Sequence, residues 1–135
     1  MTPYYSSEWP LQEAVYNALN ADDTLVALAS IYDHVPANTA YPYIVIGDDT
    51  SIDFDTKTST GEEVTLTLHI WSEEPGRKEA KILHGHLKRI LHDTLLTVED
   101  HVTVLLRREF SQTFLDPDNV TRHGVSRFRA IVQAI

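Results

Sequence analysis

Histidine is the residue type in this chain best suited to bind a transition metal, but the spacing of the histidines argues against a site. The chain has seven histidines. His84 and His86 lie two residues apart on a predicted helix and therefore point to different faces, whereas two helical histidines that chelate one ion lie four apart. No HExxH sequence occurs, and no pair of histidines with a carboxylate can be recognised. We predict hydrogen-bonded or solvated histidines without a metal, with His69 paired across its strand.

Four carboxylates in residues 48–55 are the second candidate for a cation site. They are Asp48, Asp49, Asp53 and Asp55. Asp53 and Asp55 match the first two ligand positions of a calcium loop, in which oxygen ligands alternate along the chain. The match ends at Lys57, which stands where a third oxygen ligand is needed, and at Thr58, where the sharp turn requires glycine. We therefore predict a solvated acidic segment rather than a calcium site.

The sequence contains no recognisable pairing of a nucleophile with a base. Serine, histidine and aspartate all occur, yet no GxSxG sequence presents a serine on a strand-to-helix turn. The chain has no cysteine, which excludes thiol catalysis, thiolate zinc sites and disulfides. We predict no catalytic residue and no cofactor. A small metal-dependent or ligand-binding enzyme is the alternative from another functional class.

Apolar residues at spacings of three and four predict three helices. The first covers residues 9–19, and a second short helix covers residues 24–29 after a cap at Asp22 or Asp23. The third is expected to begin close to Pro75, because proline suits the first turn of a helix. Its buried stripe comprises Ala80, Leu83, Leu87, Ile90 and Leu91.

Strands are predicted by alternating or continuous apolar residues bounded by turn residues. Val64, Leu66, Leu68 and Ile70 alternate along the clearest of them. The predicted strands cover residues 31–35, 43–46, 63–71, 102–114 with a bend near residues 107–108, and 121–132. Gly47 is expected to end the second, so that residues 48–61 form a long loop or a splayed hairpin. Residues 116–119 predict a turn in which Asn119 takes the left-handed conformation.

This order of elements predicts one α+β domain that covers residues 1–135. Strands that follow one another closely favour a mostly antiparallel sheet, and the helices are expected to pack on one face of it. A chain of 135 residues is of the size that forms one core.

Charge and hydropathy restrict the partners of the chain. The formal net charge is −9, which opposes nonspecific attraction to the phosphates of nucleic acid. No apolar run approaches the roughly 20 residues that span a bilayer, and no secretory signal is recognised. We expect a soluble protein that is made in the cytoplasm and binds no membrane.

Several segments together resemble one known family. They are residues 10–12, 31–36, 41–47, 55–58, 66–72, 76–80, 116–118 and 123–125. These segments resemble the tail-completion or tail-terminator proteins of long-tailed bacteriophages, which prophages and gene transfer agents also encode. The resemblance extends over nearly the whole chain and is most specific between Tyr32 and Ala80.

The resemblance implies a structural virion protein. Such a protein assembles as a hexameric ring on the head-proximal end of the tail tube, stops tube growth and joins the tube to the neck. Its partners are the major tail tube protein and a neck or stopper protein, and DNA passes through the lumen without specific binding. The protein would stay in the host cytoplasm until it enters the virion tail. A neck stopper or head-tail connector is the alternative within the same class.

Three sets of residues are predicted to make contacts in such an assembly. A subunit or tail-tube contact loop comprises Asp48, Asp49, Asp53, Phe54, Asp55 and Lys57. Channel-facing acids comprise Asp48, Asp49, Asp53, Asp55, Glu62 and Glu63, because an acidic lining would not hold moving DNA. Arg107, Arg108, Arg127 and Arg129 form a protein-partner patch, or else protect strand edges by their charge.

Overall fold

The computed structural model describes residues 5–135 as three helices and five strands. In chain order these are α1 (Glu8–Asn20), α2 (Asp23–Leu28), β1 (Ser30–Tyr32), β2 (Tyr43–Asp53), β3 (Gly61–Ser72), α3 (Lys78–Leu91), β4 (His101–Leu115) and β5 (Arg122–Ala134). The predicted α+β class is confirmed. Residues 1–4 of the predicted domain lie outside the described residues.

The five strands form one sheet in the order β1-β2-β3-β5-β4. β1 runs parallel to β2, and the other neighbours are antiparallel. The predicted alternation of β3 is confirmed, because Val64, Leu66, Leu68 and Ile70 are all buried. They face α1 and α3 in a single core, so one sheet face is covered by helices and the other is left open.

The structure corrects the predicted end of β2. The strand continues past Gly47 to Asp53, with an irregularity of register between Ile46 and Asp49. Residues 49–53 pair with residues 62–66 of β3, so the hairpin alternative is right and the long loop is wrong. These residues are polar apart from Ile52 and mostly exposed, and a strand without an apolar face lacks the periodicity that sequence reasoning uses.

The start of α3 is a second correction. The helix begins at Lys78 and not close to Pro75, because Gly76 takes a φ of 85° and Arg77 is the N-cap residue. The predicted stripe of α3 is buried apart from Ile90, which packs partly against the core. Sequence reasoning missed His84, which is also buried on this face.

Three predicted local features are confirmed. Asp22 is the cap of α2 and accepts a hydrogen bond from the Leu25 amide at 2.9 Å. Asn119 takes a φ of 62° in the turn between β4 and β5. The register of β4 shifts between Arg108 and Phe110, where the bend is predicted. The predicted strand at residues 31–35 is shorter than expected, since β1 ends at Tyr32.

Candidate interaction surfaces

The buried histidine of α3 joins the helix to two strands. His84 Nδ1 lies 2.5 Å from Ser126 Oγ on β5, and His84 Nε2 lies 3.1 Å from the Gln112 carbonyl oxygen on β4. A carbonyl only accepts, so Nε2 carries the proton and Nδ1 accepts from the serine. A Cβ atom at residue 124 would lie 2.7 Å from Nε2, so Gly124 makes room for the ring. The Ser126 side chain is fully buried, and we assign this serine–histidine contact to packing and not to catalysis.

A second histidine contact lies on the open face of the sheet. His69 Nδ1 and His123 Nε2 are 2.8 Å apart across β3 and β5, as predicted for His69. Trp71 stacks on the His123 ring at 3.9 Å between centroids, and the Phe114 ring lies 4.8 Å away. Within residues 5–135 no group of three or more histidines and carboxylates has a metal-binding arrangement.

We expect these histidines to make the fold sensitive to acid. Burial lowers the pKa of His84, His69 and His123 below the ordinary value of 6.5. As the pH falls below 6.5, these three histidines therefore bind more protons in the unfolded chain than in the folded chain. The free energy of unfolding falls as a result. Urea unfolding at pH 7.5, 6.5 and 5.5 measures this loss. Replacing His84 with glutamine is expected to lower stability at pH 7.5 and to flatten the pH dependence. An unchanged slope in that variant would contradict the assignment.

The predicted contact loop is the outer part of the β2–β3 hairpin. Asp48, Asp49 and Asp53 are exposed on β2, and the structure describes no ion pair to any of them in residues 5–135. The tip is closed by a bond of 2.8 Å from the Phe54 amide to the Gly61 carbonyl and one of 3.0 Å from the Gly61 amide to Asp55 Oδ1. The tip residues are exposed, including Lys57 and, at 40% exposure, Phe54.

Two of the predicted channel-facing acids, Glu62 and Glu63, are bonded to residues far away along their own chain. Glu62 accepts from the Ser7 amide at 2.6 Å and from the hydroxyls of Ser7, Ser6 and Ser51. Burial acts to raise the pKa of Glu62, but these hydrogen bonds together outweigh it and hold the pKa below its usual value. Glu63 points to the other face of β3 and pairs with Arg129. The structure therefore leaves Asp48, Asp49, Asp53 and Asp55 as the exposed members of the set.

The four arginines lie on neighbouring strands as predicted, but they do not form one patch. Arg127 and Arg129 lie on the open face of the sheet, paired with Glu109 at 3.1 Å and with Glu63. The Arg127 guanidinium also lies 5.0 Å from the centre of the Phe110 ring. Both side chains are thus engaged with their own chain.

Arg107 and Arg108 take separate positions on β4. Arg107 lies opposite Arg129 in register, but its guanidinium pairs with Asp93 at 3.3 Å. Arg108 lines a groove between β4 and α3 on the helix side of the sheet, near His84. The four arginines therefore occupy three separate places. Arg127 and Arg129 lie on the open face of the sheet, Arg107 pairs beside the end of α3, and Arg108 lines the groove.

Comparisons with known proteins agree on the family. Residues 13–133 match the family described as tail completion protein gp17. The tail completion protein gp17 of Bacillus phage SPP1 is 32% identical over 120 residues, which cover 88% of this chain and 89% of that protein.

Solved structures give the same result. A chain in the virion of a native gene transfer agent particle superposes with a TM-score of 0.89 at 26% identity, covering 97% of this chain and all of that one. The structure of bacteriophage SPP1 gp17 superposes with a TM-score of 0.63 at 30% identity, covering 96% of this chain and 90% of that one.

These similarities define the class as a structural component of the tails of phages and related particles. Within that class, the chain belongs to the tail completion protein gp17 family. The predicted resemblance is confirmed. Within residues 5–135, no helix has the length and apolar character needed to cross a bilayer.

Proposed function

We propose that this protein terminates the tail tube as a hexameric ring at the head-proximal end and joins the tube to the neck. The observation that carries the proposal is the superposition of 97% of this chain on a complete chain of the virion of a gene transfer agent particle. In this role the protein works by binding alone, without a cofactor or a catalytic step. Its neighbours are further copies of itself, the tail tube protein and a neck protein.

The test is the state of the tails when the protein is absent. In particles produced without it, we expect tail tubes of uncontrolled length that carry no head, because nothing ends polymerisation. Supplying the wild-type chain should restore uniform joined tails, and electron microscopy of intact particles should show one ring of the chain at the tube end. Tails of normal length in its absence would refute the role, as would intact particles with no copy at that position.

The exposed carboxylates of β2 and the hairpin tip are the remaining candidates for the predicted channel lining. They are Asp48, Asp49, Asp53 and Asp55. A ring that carries a net charge of −9 per subunit has little electrostatic attraction for the DNA that passes through it. If these acids line the channel, replacing them with lysine should leave tails of normal length and slow DNA ejection at low salt, with the delay shrinking as salt screens the attraction.

A further inference from the structure

The groove between α3 and β4 is basic, and no carboxylate is among the described residues that line it. Arg77 and Lys81 on the helix side and Arg108 on the strand side line it, together with Ser111 and Thr113. Its volume is about 550 Å³. Among residues 5–135 the structure shows no ion pair to these three cations. Three neighbouring cations repel one another, so this groove favours an acidic occupant.

Gly85 keeps the groove open. It lies in the middle of α3, where glycine is the least favourable residue other than proline, and it lines the groove. A Cβ atom at this position would meet nothing within 4 Å. Packing inside the subunit therefore does not require the glycine, whereas a chain that lies in the groove would need the space.

The acidic counterpart lies at the opposite edge of the same sheet. β1 covers the outer side of β2 only along residues 43–45, so residues 46–53 form an edge within the described part of the chain. That edge and the adjoining tip carry exposed Asp49, Asp53 and Asp55. The exposed apolar side chains of Ile52, at 60%, and Phe54, at 40%, lie among them. The carboxylates of the β2–β3 hairpin complement the cations of the groove in charge. The open space beside Gly85 leaves room for the apolar side chains of the hairpin.

The two surfaces cannot meet within one subunit, because two strands, β3 and β5, separate β2 from β4. Between copies they can meet head to tail, and a repeated head-to-tail contact closes into a ring when the rotation allows it. We propose that the acidic β2–β3 hairpin of one copy docks in the α3–β4 groove of the next. The inference rests on the proposed ring and assigns the contact that closes it. For Asp49 and Asp53, this contact between copies replaces the proposed role in lining the channel.

Cysteine cross-linking tests this contact directly, since the chain has no cysteine of its own. A chain with Asp53→Cys and Lys81→Cys, supplied in place of the wild type, should give a ladder of covalent oligomers up to the closed ring when particles are treated with a short bismaleimide. Each single variant should give no ladder. Asp53→Cys with Asn17→Cys is the matched control, because Asn17 is exposed on α1, outside the groove. Particles with the chain at the tube end and no ladder overturn the contact but not the proposed function. Particles without the chain there overturn both.

Charge exchange tests the electrostatic match. Asp49→Lys with Asp53→Lys, and separately Lys81→Glu with Arg108→Glu, should each lower the yield of finished particles about 100-fold or more, because like charges facing each other across an interface are strongly unfavourable. The chain with all four changes should recover most of that yield. Absence of recovery in a fourfold variant that melts like the wild type overturns the contact. Normal tails with slow ejection from the first variant also overturn it, in favour of the channel role.

A large side chain at residue 85 tests whether the groove must stay open for docking. Gly85→Leu should preserve the fold, since the position is open, and should block docking, so that finished particles are lost. Gly85→Ala is the matched control, because alanine favours the helix at least as much as leucine does and adds only one methyl group to the groove. Equal yields from the two variants overturn the proposal.

Discussion

Shortening the β2–β3 hairpin is expected to lower the yield of finished particles at least about tenfold while leaving the subunit folded. Residues 55–60 are replaced by Asn-Gly between Phe54 and Gly61, which already form a hydrogen-bonded pair at 2.8 Å. Asn-Gly forms a two-residue turn that can join such a pair, and the twist of this turn matches the twist of the two strands. The removed residues mostly bond to one another, as Thr56 and Ser59 do at 2.7 Å. Two bonds to retained residues are lost, from the Gly61 amide to Asp55 Oδ1 and from the Ala134 amide to the Thr60 carbonyl.

The measurements are thermal unfolding and the yield of joined tails. We expect the melting temperature to stay within about 5 °C of the wild type, since an isolated hydrogen bond contributes about 1 kcal/mol. The yield of finished particles should fall at least about tenfold, the factor that corresponds to losing about 1.4 kcal/mol of contact free energy. Thr58→Ala, at an exposed tip residue outside the predicted contact set, keeps the hairpin length and serves as the control. A shortened chain that finishes tails normally would remove the hairpin from the assembly contacts.

Replacing Glu62 with alanine is expected to cause a large loss of stability. Ser7 is the N-cap residue of α1 and makes no side-chain cap bond, and the Glu62 carboxylate of β3 accepts from the backbone amide of Ser7. A carboxylate is also favoured at the positive end of a helix. Ser7 is fully buried, and without Glu62 its amide and its hydroxyl lose this acceptor. We expect the free energy of unfolding to fall by about 2–3 kcal/mol at pH 7.

Glu63→Gln is the matched control for this loss. Glu63 is the next residue along β3, and its pair with Arg129 is partly exposed, so its removal should cost less than about 1 kcal/mol. The lowered pKa of Glu62 adds a second signature. Its contribution is present above the ordinary value of 4.5 and is lost as the pH falls below it, so the difference between wild type and Glu62→Ala should shrink in acid. Equal losses of stability from the two variants would show that the bonds from Ser7 to Glu62 do not anchor α1.

Regular periodicity explains which elements could be predicted. The alternation along β3 and the three-and-four spacing along α3 each bury one face, and both were identified because side-chain direction repeats within a single element. The second half of β2 was missed because its exposed polar residues carry no such repeat. His84 had a usable signal, since it lies four residues after Ala80 on the buried stripe, but a histidine there is not counted as apolar.

The acidic residues show the limit of sequence reasoning for the site. Glu62 and Glu63 were grouped with the hairpin aspartates by proximity in the sequence, yet they point to opposite faces of β3 and bond to α1 and to β5. The partners Ser7 and Arg129 lie more than 50 residues away along the chain. A run of charges is local, whereas the partner of each charge depends on which strands and helices become neighbours.

By itself, the sequence determined the α+β class, the family, and the elements whose apolar repeat is uninterrupted. The tertiary structure alone decided the strand order, and with it the placement of an acidic edge on β2 and a basic groove beside β4 at opposite sides of one sheet. Secondary structure follows from interactions between residues a few positions apart. The separation of charge across the subunit follows from long-range strand pairing, which joins β3 to β5 and leaves β2 and β4 on opposite sides of that central pair.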